Sequence, residues 1–199
     1  MKNYNTFKYL LLISWTVLFS SEKFIDDFSN DWIELQNKSI HISWQQNNKT
    51  QFCKASIVYD HPSKKIKALL ENQEDYPHIF DRIIYSKIIK NDIVHIKLDL
   101  PFPFYGRDYI VKYKYIKTGE IEYFIYKATT EVNIPKEENY VRLINAEGLW
   151  KINPLNKNQT EVTYIWNGEL LGDFPDWALT TAWTEQGNEV LTWLKEALE

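Results

Sequence analysis

Apolar and polar positions alternate through most of this chain, in short runs separated by turn residues. Ile40-His41-Ile42-Ser43-Trp44 has the two-residue period of a half-buried strand. Residues 52–59 form a second run and Asn47-Asn48 is a turn signal, so 40–59 predicts a β-hairpin. Further runs rich in β-branched and aromatic residues cover 83–89, 93–100, 108–115, 121–129, 140–152 and 161–166. Asn91-Asp92, Thr118-Gly119 and residues 135–139 and 156–158 separate them as turns. Successive strands with short turns predict an antiparallel meander.

Helical patterns occupy three places. Residues 30–36 predict a short helix capped by Asn30 or Asp31. Residues 60–63 open a second, with Ile66, Leu69 and Leu70 at helical spacing to about Asn72. Residues 76–80 follow as a separate short turn or helix, because Pro77 disfavours helix continuation through Tyr76. At the end, residues 174–177 open a long helix, with Asp173 as candidate N-cap and Pro175 in the first turn. Trp183, Val190, Leu191, Leu194 and Leu198 form its apolar stripe. Gly187 falls on that stripe at a cost of about 1 kcal/mol relative to alanine, which points to a close approach by another backbone or a ligand. A hairpin, a helical excursion, a meander and a terminal amphipathic helix make a two-layer α+β domain. A sufficiently bent sheet leaves a cavity between sheet and helix.

Strand faces show what such a cavity would contain. After Arg107, residues Tyr109, Val111, Tyr113 and Tyr115 share one face, and Asp108, Lys112 and Lys114 share the other. The aromatic face is expected to point inward. Val162, Tyr164 and Trp166 form a similar face, and Trp150 shares its face with the small residues Ala146 and Gly148. Arg107 beside Asp108 reads first as a local ion pair or turn clasp, and second as a group orienting a polar headgroup.

Composition narrows the function. A length of 199 residues fits one domain, and 8 Trp, 13 Tyr and 10 Phe are enough both to fill a core and to line an apolar pocket. A net charge of −4 without a dense Lys/Arg stripe disfavours nucleic-acid binding. Cys53 is the single cysteine, which excludes an internal disulfide or a multi-thiolate zinc site and reads as a buried small apolar residue. His41, His61, His78 and His95 form no paired-ligand pattern, so no metal or other cofactor is expected. No nucleophile elbow or phosphate loop is present. The N-terminus carries Lys2 and Lys8, an apolar stretch from Tyr9 to Phe19, and then Ser20-Ser21. Residues 1–21 therefore predict a signal peptide, or alternatively an uncleaved N-terminal anchor, ahead of one domain at 22–199.

Four segments in order resemble the START-like lipid-transfer domains of helix-grip fold. They are Arg107-Asp108-Tyr109 after a Pro/Gly turn, Gly148-Leu149-Trp150 with Pro154, residues 160–164, and Gly172-Asp173-Phe174-Pro175-Asp176-Trp177. Residues 57–80 resemble the family's helix region, and the likeness covers about 30–199. It implies a curved antiparallel sheet around a long C-terminal helix, holding one lipid-like molecule in an internal tunnel. The implied ligand-binding set is Arg107, Tyr109, Val111, Tyr113, Trp150, Tyr164, Trp166, Phe174, Trp177, Trp183 and Gly187. Sterol-carrying relatives have a pocket arginine at the position held here by Tyr113, a departure that weighs against a sterol ligand.

The expectation is an exported, monomeric, non-catalytic carrier of a lipid or other apolar small molecule, in transient contact with membranes. Helix 174–198 and loop 101–106 are the expected gates, and Phe102, Phe104 and Trp177 the expected membrane-touching residues. The alternatives are a cyclase- or hydrolase-like enzyme on the same fold, and a domain whose cavity is filled by its own side chains.

Overall fold

The computed structural model describes residues 28, 31–47, 50–171 and 174–199. The expected signal peptide, Asn30, the Asn48 half of the first turn, and Gly172-Asp173 lie outside the described residues. Residues 33–199 form one compact unit.

Alternation of β-branched and aromatic residues with polar ones produces ten strands: β1 (Ile33–Asn37), β2 (His41–Asn47), β3 (Thr50–Tyr59), β4 (Ile83–Lys90), β5 (Ile93–Leu98), β6 (Gly106–Thr118), β7 (Ile121–Ala128), β8 (Tyr140–Arg142), β9 (Glu147–Pro154) and β10 (Thr160–Asn167). Nine are ordered β1-β2-β3-β10-β9-β7-β6-β5-β4 in one sheet, and β8 adds to β6. The β2–β3 hairpin is antiparallel as expected, with His41 opposite Ser56. It joins the meander through β3 and β10, which pair along their lengths from Thr160↔Tyr59 to Asn167↔Phe52.

Two expectations are corrected. The sequence predicts a helix over 30–36, but Ile33–Asn37 is an edge strand antiparallel to β2, with an irregularity between Glu34 and Gln36. Two apolar residues two apart, Ile33 and Leu35, satisfy a strand, and pairing with β2 outweighs the local capping signal. The single run 140–152 divides into β8 and β9, with a turn at 143–146 closed by Ala146 N–H donating to the Leu143 carbonyl at 3.5 Å. β8 runs parallel to the start of β6, Gly106 opposite Tyr140, so the meander is not wholly antiparallel.

The helices are α1 (Ser63–Glu71), α2 (Tyr76–Ile79) and α3 (Leu179–Glu196). Pro62 stands at the N-cap of α1, and Ile66 and Leu70 are its buried residues. A single 3-10 turn, Asp176–Ala178, leads into α3. The underside of α3 carries Trp183, Gly187, Leu191 and Leu194, all buried. A methyl group on Gly187 would lie 3.0 Å from Ile42 Cδ1 and 3.2 Å from Ala55 Cβ, so the missing side chain lets α3 settle onto β2 and β3. Tyr59 Oη donates to the Leu191 carbonyl at 2.6 Å, and Gln36 Nε2 donates to Asn188 Oδ1 at 2.8 Å, tying α3 to β3 and β1. Trp183 packs on Trp44 with ring centroids 5.4 Å apart and donates its indole N–H to the Gly168 carbonyl at 2.7 Å. Cys53 is fully buried and burial pushes its thiol pKa upward, so it behaves as a core residue. The long helix is thus fastened at one side of a curved sheet, and space remains on the other.

Candidate functional site

That space is a cavity of about 400 Å³. The floor comes from β6, β7, β9 and β10, through Tyr109, Tyr113, Tyr126, Trp150 and Tyr164. Tyr76, Phe80 and Ile83 close it from the α2 side, and Ala182, Val190 and Trp193 from α3, with Ala178 from the turn before it. Leu98, Leu100, Pro101, Phe104 and Phe174 form its rim. The floor is a stack of rings: Trp150 lies on Tyr164 at 4.2 Å between centroids, Tyr164 on Trp166 at 4.8 Å, and Phe80 on Trp150 at 6.0 Å. Such stacking orders large apolar side chains beyond their area burial.

Tyrosine hydroxyls are set into this surface. Tyr76 Oη donates to the Leu70 carbonyl at 2.8 Å, and the Tyr126 and Tyr164 hydroxyls share a 3.0 Å hydrogen bond. Gly148 makes room for that pair: a Cβ there would lie 2.5 Å from Tyr126 Oη and 2.3 Å from the Ile165 carbonyl oxygen. Burial raises the pKa of Tyr109, Tyr113 and Tyr126 well above the ordinary tyrosine value. Burial also pushes Tyr164 up to about 12, against the lowering effect of its hydrogen bond with Tyr126. At neutral pH these are all uncharged O–H groups.

Of the eleven candidate ligand residues, Tyr109, Tyr113, Trp150, Tyr164, Phe174 and Trp177 line the cavity. Val111, Trp166, Trp183 and Gly187 are buried in the packed core beside it. Tyr115 is 45% exposed, outside the expected inward row: β6 outruns the core there, and the Tyr115 hydroxyl donates to Glu122 at 2.6 Å. Arg107 is fully buried, and its guanidinium turns to backbone: Nε donates to the Leu170 carbonyl at 2.6 Å, Nη1 to Tyr105 at 2.5 Å and Nη2 to Leu171 at 3.0 Å. It clasps the loop before β6 to the segment before α3, the turn-clasp role. Asp108, on the opposite strand face, instead accepts from His95 at 3.0 Å and from Arg142 Nε at 2.8 Å. Burial opposes its ionisation, but the bonds from His95 and Arg142 prevail and hold its pKa below 3.8.

Cavity residues absent from the sequence set include Tyr76, Phe80, Tyr126, Val190 and Trp193. Trp193 lies three residues from Val190, one turn on along the same helix, and this spacing was the available signal. The second missed feature is charged. Arg82 Nε and Nη2 donate to the two carboxylate oxygens of Glu189, each at 2.6 Å, so a bidentate pair joins the segment before β4 to α3 at the cavity edge. The exposed apolar groups of the region are Phe102, 96% exposed, Trp177, 85%, and Tyr105, 55%. Phe104 and Phe174 bring the two rim segments together at 4.6 Å between centroids. Among the described residues no group of acids, histidines and cysteines is placed to hold a metal ion, and no helix is long and apolar enough to cross a membrane.

No protein-family model matches the chain. An uncharacterized protein of Pseudomonas aeruginosa is 29% identical over 103 residues, which covers 52% of this chain and 51% of that protein. The match thus spans about half the length of the curated relative. Among solved structures, the STAR-related lipid transfer protein of Xanthomonas axonopodis superposes with a TM-score of 0.74 at 17% identity, over 85% of this chain and 99% of that one. Human STARD10 superposes with a TM-score of 0.78 at 15% identity, over 90% of this chain and 78% of that one. The Zhui aromatase/cyclase of Streptomyces gives 0.53 at 14% identity, over 73% of this chain and 92% of that one. With its ten-stranded curved sheet and long C-terminal helix, the chain has the START-type helix-grip fold.

Proposed function

We propose that the chain binds one lipid or lipid-like apolar molecule in the cavity between α3 and the sheet, and exchanges it without chemical change. The observation that carries this reading is the lining: about 400 Å³ of space walled by stacked aromatic and aliphatic side chains. An apolar ligand moving there from water gains about 25 cal/mol for each Å² buried. The likeness to proteins described as lipid transfer proteins supports the same reading at the level of fold. Exchange requires an opening, and the rim between loop 99–105 and the start of α3 is the proposed gate. Phe102 and Trp177 stand exposed on those two segments and are the proposed points of transient membrane contact. A monomer exported by its N-terminal segment remains part of the proposal, resting on the sequence alone.

The test is titration of delipidated protein with a panel of neutral, zwitterionic and anionic lipids. Trp150, Trp177 and Trp193 line the cavity, so intrinsic fluorescence reports occupancy. Saturable one-to-one binding of at least one lipid is expected, and no binding across the panel would overturn the proposal. The cyclase-like alternative draws on the aromatase/cyclase likeness. It predicts turnover of a bound substrate that Tyr113→Phe abolishes with folding intact.

A further inference from the structure

The hydroxyl protons of the cavity can be followed one by one. Tyr76, Tyr109, Tyr113, Tyr126 and Tyr164 all line it. Tyr76 spends its proton on the Leu70 carbonyl, which leaves its oxygen only an acceptor. Tyr126 and Tyr164 bring two protons to a pair that consumes one. Tyr109 Oη has no hydrogen-bond partner among the described residues. At least two O–H donors are therefore unspent, that of Tyr109 and one from the Tyr126–Tyr164 pair. Tyr126 on β7 stands opposite Tyr113 on β6, and Tyr109 lies four residues along the same face of β6.

Fixed charge does not compensate a buried anion in this space. The charged lining residues are Arg82, Glu185 and Glu189, one cation against two anions. Arg82 is held by both oxygens of Glu189. A carboxylate or phosphate drawn down to the tyrosines would lose its hydration with no free cation to replace it. A plain hydrocarbon would leave two donors facing apolar atoms.

We infer that the cavity selects an uncharged ligand with a hydrogen-bond-accepting oxygen set within its apolar body, such as a ketone, ester or amide carbonyl, received by Tyr109 and the Tyr126–Tyr164 pair. The inference rests on the ligand-binding reading above and specifies the class of ligand. The side chains that recognise this oxygen lie on β6, β7 and β10, which keeps the donors fixed relative to one another.

Three probes of one chain length separate the terms: tridecane, tridecan-7-one and tridecanoic acid, titrated by displacement of a fluorescent apolar dye. The proteins are the wild type, the Tyr109→Phe variant and the Tyr109→Phe/Tyr126→Phe/Tyr164→Phe variant. Circular dichroism establishes that each is folded, and the single variant serves if the triple one is not. Tyr109→Phe is expected to weaken tridecan-7-one binding about fivefold and the triple variant tenfold or more, with tridecane unchanged. Tridecanoic acid is expected to lose at least tenfold in affinity between pH 4 and pH 8 in the wild type as its carboxyl ionises. Equal losses for ketone and alkane, or tridecanoate at pH 8 bound as tightly as the ketone, would overturn the inference while leaving apolar binding in place. Failure of all three probes to bind the wild type would overturn the ligand-binding reading as well.

Discussion

At the floor of the cavity, Tyr164 lies stacked between Trp150 and Trp166 and shares a hydrogen bond with Tyr126, all on strands of one sheet. At the mouth, Phe102 and Trp177 are 96% and 85% exposed, and one half-buried ion pair, Arg82–Glu189, holds α3 to the segment before β4. The floor is ordered by strand pairing and ring packing, which salt and small displacements barely affect. The mouth is held by a few contacts between elements distant in sequence. A cavity of this kind keeps its recognition surface fixed while its edge opens, because local opening draws on the least buried contacts. Arg107 marks the boundary between the two regions: it starts β6, the floor strand, yet its guanidinium secures both rim segments.

The contrast breaks most severely at that boundary. Arg107→Met removes three charge-assisted bonds and leaves the Tyr105, Leu170 and Leu171 carbonyls without this donor. A loss of about 3–5 kcal/mol is expected in chemical denaturation. A loss below about 1 kcal/mol would show that the clasp is dispensable. Next in size is filling the cavity from above. Ala182→Trp places a large ring from α3 into the open space and is expected to weaken lipid binding tenfold or more, with stability within about 1.5 kcal/mol of wild type. Undiminished binding would place the ligand elsewhere.

The latch at the mouth gives a smaller stability effect and a larger kinetic one. Arg82→Ala is expected to cost about 1 kcal/mol, since the pair is partly solvated, and to speed ligand release in a stopped-flow chase. Salt is expected to speed release from wild type but not from the variant. An unchanged release rate would remove the pair from the gate. At the rim itself, Phe102→Ser and Trp177→Ser are expected to stay within about 0.5 kcal/mol of wild-type stability while slowing ligand transfer to vesicles. Transfer at the wild-type rate would exclude these side chains from membrane contact.

The pH dependence of stability divides along the same lines. The pKa of Asp108 is depressed below 3.8 in the folded chain, so its contribution is complete above about pH 4. It is lost as pH falls through the folded value, and Asp108→Asn is expected to remove that share of the acid limb. Tyr164 is raised from 10.0 to about 12, so its contribution is complete below pH 10 and is lost as pH rises toward 12. Tyr164→Phe is expected to flatten that part of the alkaline limb in denaturation curves. An alkaline limb unchanged in the variant would show that Tyr164 ionises as readily in the folded chain as in the unfolded one.

Floor and mouth also differ in how far they could be read from the sequence. Tyr109, Tyr113, Trp150 and Tyr164 sit on strands whose alternation is visible over many residues, and the period of two assigns their face. Tyr115 shares that period and is still exposed, because periodicity cannot show where the core ends. Tyr76 and Trp193 enter the cavity through the placement of separate elements, which depends on how α2 and α3 dock. The Arg82–Glu189 pair spans 107 residues, and nothing near either residue announces the other. The sequence of β1 is ambiguous because five residues with two apolar positions fit either element, and pairing with β2 decides for the strand. Arg107 stood out in sequence through its turn context, yet its carbonyl partners at 170 and 171 are visible only in the folded chain.

Native mass spectrometry of the purified wild-type protein and the Ala182→Trp variant, before and after solvent extraction, tests the central claim most directly. The cavity account predicts one apolar molecule retained per wild-type chain, lost on extraction, regained from a neutral lipid, and absent from the variant. A wild-type protein that carries nothing and takes up no lipid, or a variant that retains the same molecule, would contradict it.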